Sequence, residues 1–269
     1  MIDSGDLPIA DPAEVKAFLR GLPLALDREF TRFVLGFPRK YLALTPRTEI
    51  VKHYGLMASL GTKAVISSLA RDGEHWKLSL VTRDRQALFS RIAGTLTCHG
   101  MNITAAEAFA NASEVVLDTF RFTDDERHFD EDDQRRTFQS FLEDAVEGKV
   151  ALEPLLRERL GRLAPLPEAA FAVEMDDDSH PSATRVRLEC RDRFGLLYVV
   201  SRCLSEAGLD IEVASVQTSG TQVHDEFYVT QAGGFLGGPA REDLARRLAD
   251  LGERYFRGDP AALVGGPRD

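Results

Sequence analysis

The residues best suited to bind a ligand form one polar turn, Asp192-Arg193-Phe194-Gly195-Leu196-Leu197. A strand ends and a helix begins there, so free backbone N–H groups at the helix start could bind a carboxylate. Gly195 removes a side chain where a ligand would approach the backbone. Asp210 opens the next strand and could accept an ammonium group. Together they predict a pocket for an α-amino acid. The structural alternative is that Asp192 caps the helix, Gly195 allows close packing and Asp210 lies in a turn.

The turn occurs twice, because Arg83-Asp84-Arg85-Gln86-Ala87-Leu88-Phe89 precedes Arg191-Asp192-Arg193-Phe194-Gly195-Leu196-Leu197 by 108 positions. The correspondence continues through Gly100 and Gly208, Asn102-Ile103 and Asp210-Ile211, and, after a shift of one residue, Asp118-Thr119-Phe120 and Asp225-Glu226-Phe227. A repeat of this length indicates one supersecondary unit used twice. Duplication of a polar turn favours binding over catalysis.

Apolar spacing and turn residues predict the elements that position these turns. Residues 1–60 are predicted to form helices without a catalytic constellation. The first repeat is predicted to contain a strand over 76–82, a helix over 88–96 capped by Asp84 and ended by Gly100, strands over 102–110 and 114–123, a helical region over 130–162, and a last strand over 171–175 before an acidic linker. The second repeat is predicted to contain a strand over 184–190, a helix over 195–207, strands over 210–218 and 222–231, and a helix over 240–252.

The predicted fold class is α+β, with two ferredoxin-like (βαββαβ) units behind a helical segment. The predicted segments are 1–63 (helical), 64–178 (first unit, with a helical insertion), 179–257 (second unit) and 258–269 (flexible tail). The outer sheet face carries Val115 and Leu117 in the first unit but Gln222 and His224 in the second. We therefore expect the N-terminal helices to cover the first face and water to reach the second.

Composition excludes several classes of protein. A net charge of −10 argues against nucleic-acid binding. The chain starts without a signal peptide and contains no membrane-length apolar run, and its three cysteines suit reduced thiols, so we expect a cytoplasmic protein without a membrane partner. The acidic stretch around residues 124–133 lacks the glycine and glutamate positions of a calcium loop. We expect no metal, no cofactor and no catalytic residue.

The two turns, the segments 100–103 and 208–211 and the Asp-x-Phe strands resemble tandem ACT domains. More narrowly, they are similar to the C-terminal ACT pair of bacterial PII uridylyltransferase/uridylyl-removing enzymes. The lead-in Phe37-Pro38-Arg39-Lys40-Tyr41-Leu42, with Thr45-Pro46 and residues 49–53, resembles the segment before that pair. The resemblance covers roughly residues 36–252. The nucleotidyltransferase and HD hydrolase domains of those enzymes have no counterpart here, so the expected protein is not an enzyme.

The resemblance implies a regulatory sensor of a free amino acid, with glutamine as the first candidate. Neighbouring ACT units pair in this family, so ligand is expected between units, within this chain or a homo-oligomer, with a regulated partner protein. The implied ligand-binding residues are Asp192, Arg193, Phe194, Gly195, Leu196 and Asp210 at the second turn, and Asp84, Arg85, Gln86, Leu88 and Asn102 at the first.

Ala87 stands where the pattern has glycine, so the second turn is the better predicted site. Asp210→Ala is expected to abolish ligand binding and Asn102→Ala to weaken it less. Two alternatives remain. One is a ligand-independent interaction module similar to the glycine-cleavage repressor, and the other is the regulatory part of a split uridylyltransferase.

Overall fold

The computed structural model describes residues 8–18, 28–83, 85–111, 114–166 and 170–259. The N-terminal helices are α1 (Pro12–Phe18), α2 (Arg28–Val34), α3 (Arg39–Leu44) and α4 (Arg47–Leu60). The first repeat contains β1 (Val65–Asp72), β2 (His75–Arg83), α5 (Leu88–Cys98), β3 (Asn102–Ala110), β4 (Val115–Thr123), α6 (Asp132–Val146) and α7 (Leu152–Leu160). The second contains β5 (Phe171–Asp176), β6 (Thr184–Arg191), α8 (Leu196–Glu206), β7 (Asp210–Ser219), β8 (Gln222–Thr230) and α9 (Gly238–Phe256).

All eight strands form one antiparallel sheet in the order β1-β2-β4-β3-β7-β8-β6-β5. Each half has the strand order of a ferredoxin-like unit, which confirms the predicted α+β class. The fourth strand of each unit differs from expectation, because it comes first along the chain instead of last. The predicted strand at 171–175 forms β5 and pairs with β6 of the second repeat. It has no place in the first repeat because β1 already lies beside β2. The expected acidic linker, residues 176–181, begins at the last residue of β5 and lies in the connection from β5 to β6.

The two repeats are joined by backbone pairing between β3 and β7, which we call the seam. Glu107 lies opposite Ser215 there, and these residues correspond in the 108-residue repeat. The pairing therefore relates the repeats by an approximate two-fold axis through the middle of the sheet. On the inner face, α5 packs against α8, and a single apolar cluster extends through both repeats. The seam brings residues from both repeats to each turn.

The N-terminal helices cover the outer face of the first repeat, as predicted. Val115 and Leu117 are buried in a second apolar cluster with residues of α2, α3 and α4. Asn111 fixes this contact, because its Nδ2 donates to the Phe33 carbonyl at 2.9 Å and its Oδ1 accepts from the Val115 N–H at 3.0 Å. In the second repeat Gln222 and His224 are exposed, so the predicted difference between the faces is confirmed.

Other local differences have simple causes. The predicted helical region 130–162 is divided into α6 and α7 near Gly148, which has a left-handed φ of 78°. Cys98, Cys190 and Cys203 are free, and burial raises the pKa of each thiol to about 12. In the described parts of the chain, every helix is too short or too polar to cross a membrane. Within these residues no three His, Cys, Asp or Glu side chains are placed to hold a metal ion.

Candidate functional site

Each turn lies beside the first residues of the central strand, β3 or β7, that belongs to the other repeat. A cavity at the second turn is lined by Asp192, Gly195 and Leu196 together with Asn102 of the first repeat. The cavity at the first turn is lined by Arg85, Ala87 and Leu88 together with Asp210 and Glu212 of the second repeat. The sequence prediction that Asp210 serves the second turn and Asn102 the first is therefore wrong. The partners are exchanged because the seam places the start of each central strand beside the opposite turn.

Both turn cavities are small. Their volumes are about 20 Å³ at the second turn and about 40 Å³ at the first. Such volumes hold one or a few water molecules, whereas pockets for small organic ligands enclose about 300–1,000 Å³. An amino acid could enter only if a turn and the opposite strand start moved apart. A bound ligand would therefore contact both repeats.

Gly195 is required by packing and by its backbone conformation. Its φ is 81°, and a Cβ added there would lie 2.6 Å from Leu160 Cδ2 and 3.1 Å from Thr97 Cγ2. The missing side chain thus makes room for α7 and α5 instead of a ligand. Ala87 starts α5 in the same left-handed conformation, with a φ of 59°. The turn geometry is shared by both repeats even though the glycine is not.

Arg193 and Phe194 hold the end of α9. The buried guanidinium of Arg193 donates from Nη1 to the Phe256 carbonyl at 2.9 Å and from Nη2 to the Ala164 carbonyl at 2.8 Å. The Phe194 carbonyl accepts a hydrogen bond from the Tyr255 hydroxyl. These contacts fix the second turn against the last helix, so both residues act on the cavity by positioning its backbone.

The second turn concentrates carboxyl groups. Asp192 and Asp225 both line its cavity. Burial raises the pKa of Asp225 to about 8, although the Gln217 N–H stabilises its charged form. Burial likewise raises the pKa of Asp192, against a smaller opposing contribution from the Arg193 N–H. Two crowded carboxyl groups favour a ligand with an ammonium group. The side chains of this turn therefore suit the ammonium end of an amino acid. The sequence predicted instead that this turn would bind the carboxylate end.

Asp225 was not among the predicted ligand-binding residues, although one sequence signal could have identified it. It lies on an apolar strand face at the repeat position of Asp118, and both side chains are about 1% exposed. A duplicated aspartate on such a face has a large desolvation penalty unless its environment compensates for it. The adjacent His224 is exposed on the opposite face of the strand, so its side chain does not share a site with Asp225.

The first turn is more open than the second. Arg85, Gln86 and Asp210 are exposed and Leu88 is buried, while the predicted Asp84 lies outside the described residues. Beside Ala87 is a cleft of about 460 Å³ that extends to Arg202. At the second turn α7 takes up the corresponding space, where Leu160 and Arg159 contact the positions of Gly195 and Gly100. The helical insertion therefore makes the two turns unequal.

Gly195→Ala is expected to destabilise the fold by about 1–3 kcal/mol, because it adds left-handed backbone strain and a contact with Leu160. Ala87→Gly is the matched control in the other repeat. It is expected to change the free energy of unfolding by less than about 1 kcal/mol, since relief of strain is opposed by greater freedom of the unfolded chain. Urea unfolding of both variants measures the difference. Equal effects would contradict the packing role of Gly195.

Two ferredoxin-like repeats are joined along a seam, and each turn is lined by residues of the other repeat. This arrangement resembles the tandem ACT pair that the sequence motifs suggested. Comparison with known proteins relates the chain to bifunctional uridylyltransferase/uridylyl-removing enzymes. It is 30% identical over 216 residues to the enzyme of Phenylobacterium zucineum, which covers 78% of this chain and 23% of the enzyme. It is 32% identical over 157 residues to the enzyme of Rhodospirillum rubrum, which covers 56% of this chain and 16% of the enzyme.

The chain thus spans less than a quarter of the length of these relatives. No protein-family model matches it. A crystal structure of aspartate kinase from Synechocystis overlaps 68% of this chain and 27% of the kinase chain, with 16% identity and a TM-score of 0.34. This TM-score is too low to assign a fold from the similarity.

Proposed function

We propose that the chain is a non-catalytic regulatory sensor that binds a free amino acid, with glutamine as the first candidate, at the second turn. Similarity to part of a bifunctional regulatory enzyme supports a regulatory role. The observation that carries the proposal is the closure of each turn by the opposite repeat. A ligand there binds two repeats at once and favours one arrangement of them over another.

The residues around the second turn suit each part of glutamine. Asp192 and Asp225 offer carboxyl groups to its ammonium group. The start of α8 offers backbone N–H groups to its carboxylate. Asn102, from the first repeat, can donate to and accept from a side-chain amide. Because Asn102 opens β3, this last contact would connect the ligand to the seam.

The proposal is tested by thermal-shift and calorimetric titration against the free amino acids. Glutamine at 100 times its dissociation constant is expected to stabilise the fold by about 2.7 kcal/mol. Asn102→Ala is expected to weaken binding more than Asp210→Ala, the reverse of the order expected from sequence, because Asn102 faces the second turn. Asp210→Ala is the matched control at the other turn. If Asp210→Ala has the larger effect, the ligand binds at the first turn instead.

A ligand-independent interaction module is the second candidate function. The small volume of both turn cavities favours it. If no amino acid at millimolar concentration raises the melting temperature, the sensor proposal is wrong and this candidate takes its place. Either kind of module is proposed to regulate a partner protein. A separate uridylyltransferase subunit is one candidate for that partner.

A further inference from the structure

A cavity lies on the outer face of the sheet, beside the N-terminal helices. It encloses about 480 Å³ between α3, α4 and the seam, and we call it the seam cleft. It is lined by residues of the N-terminal helices and of strands β2, β3, β4 and β7, among them Tyr41, Leu44, His53, Lys77, Glu107 and Leu117. This volume lies in the range of small-molecule pockets.

Glu107 is the notable charge in the seam cleft. It is half-buried at the midpoint of the seam, opposite Ser215. Within the described residues its carboxylate has no hydrogen bond and no ion pair; only a longer-range attraction from Lys40 acts on it. Burial raises its pKa. A carboxylate removed from water without a partner lowers the stability of the fold, so a bound cation would offset this penalty.

The two cations that line the cleft, Lys77 and Arg121, are already paired with other carboxylates. Lys77 and Lys52 both bind Glu49, Lys52 at 2.6 Å. Arg121 Nε lies 2.9 Å from Asp72 Oδ2. The protein therefore pairs the two basic groups that line the cleft and leaves Glu107 with only the longer-range attraction of Lys40. A cationic ligand fits this arrangement better than an anionic one.

A second polar side chain at the cleft, His53, has one ring nitrogen without a partner among the described residues. His53 is 3% exposed, and its Nδ1 lies 3.1 Å from the Tyr41 hydroxyl. Its Nε2 is buried without a hydrogen-bond partner in the described part of the chain. Burial lowers the pKa of His53 to about 4, so the ring is neutral at pH 7. Unsatisfied groups of this kind are rare in folded proteins and call for a specific cause.

We propose that the seam cleft binds a small organic ammonium compound, with its ammonium group on Glu107 and its apolar part against Leu44, Phe109 and Leu117. Leu44 is 53% exposed, and the other two are buried walls of the cleft. The site shares no polar residue with either turn cavity. Because N-terminal helices and both central strands line it, its ligand would hold the helices to the seam.

Three compounds that share the same branched five-carbon chain test the proposal by calorimetry at pH 7: isopentylammonium, leucine and 4-methylpentanoate. Isopentylammonium is expected to bind and 4-methylpentanoate to fail, because only the former carries the ammonium group. If leucine also binds, the natural ligand of the cleft belongs to the α-amino acids. If leucine does not bind, the natural ligand is a simple amine. The proposal is overturned if none binds, or if 4-methylpentanoate binds as tightly as isopentylammonium.

Glu107→Gln is expected to weaken isopentylammonium binding at least about 10-fold, since a charge-assisted hydrogen bond is lost. The ligand-free variant is expected to melt at or above the temperature of the natural protein, because the unpaired carboxylate is gone. Asn102→Ala should leave isopentylammonium binding unchanged, and Glu107→Gln should leave glutamine binding at the turn unchanged. Failure of one site is thereby distinguished from failure of the other. Unchanged affinity in a folded Glu107→Gln variant contradicts the assignment.

Discussion

Asp225→Asn is expected to remove a large part of the pH dependence of stability. Burial raises the pKa of Asp225 from 3.8 to about 8 in the native state, so the folded protein keeps a proton that the unfolded chain releases. The contribution to stability is fully present below pH 4 and is lost as pH rises towards 8. The limiting slope is about 1.4 kcal/mol per pH unit. The asparagine variant has no such slope and gains stability relative to the natural protein as pH rises.

Urea unfolding at pH 5, 6.5 and 8 measures this effect. Asp243→Asn is the control, because Arg247 and Arg246 hold the pKa of that partly exposed carboxyl below its usual value. Its contribution is present above the unfolded pKa and changes only in more acidic solution, so it leaves the interval from pH 5 to 8 unaffected. Parallel pH profiles for the natural protein and Asp225→Asn would show that Asp225 stays ionised in the fold. The second turn would then carry a permanent negative charge.

Gly252→Ala is expected to destabilise the fold by about 1–3 kcal/mol even though alanine is the better helix former. Gly252 is buried in α9, and an added Cβ would lie 2.5–2.9 Å from three ring atoms of Phe171. A rigid ring on β5 cannot give way without displacing that edge strand. Packing therefore outweighs the gain in helix propensity.

Gly55→Ala in α4 is the matched control for this substitution. No atom lies within 4 Å of the added Cβ there, so helix propensity alone acts and the variant is expected to gain about 1 kcal/mol. Phe171→Ala in the Gly252→Ala background should recover part of the loss. Thermal unfolding of the four proteins provides the comparison. Stabilisation by Gly252→Ala would show that β5 is not packed against α9 as described.

Features that depend on neighbouring residues could be predicted from the sequence. Gly100 and Gly208 end α5 and α8 with left-handed φ values of 78° and 73°, as their positions indicated. The alternating residues of β4 identified which face needs the N-terminal helices. The strand β1 was missed because it lies at an edge and is mostly exposed, so its sequence has little apolar alternation.

Features that depend on long-range pairing could not be predicted. The pattern at 171–175 identified a strand, but no local property states that its partner is β6 instead of β2. For the same reason Asn102 and Asp210 were assigned to the wrong turns, since their positions follow from the seam. The role of Gly195 also depends on Leu160, a residue of the insertion. Local chemistry selected the right turns, and tertiary structure decided their partners.

The seam makes the boundary between the repeats a poor place to divide the molecule. Residues 105–109 of β3 form backbone pairs only with β4 and β7. A fragment that stops before the second repeat would present this row, which is small and apolar apart from Glu107, as a bare sheet edge. It would also expose the α5 surface that α8 covers. Edges of this type recruit other strands. Each half is therefore expected to self-associate when produced alone, so the tandem chain is the smallest well-behaved unit for biochemical work.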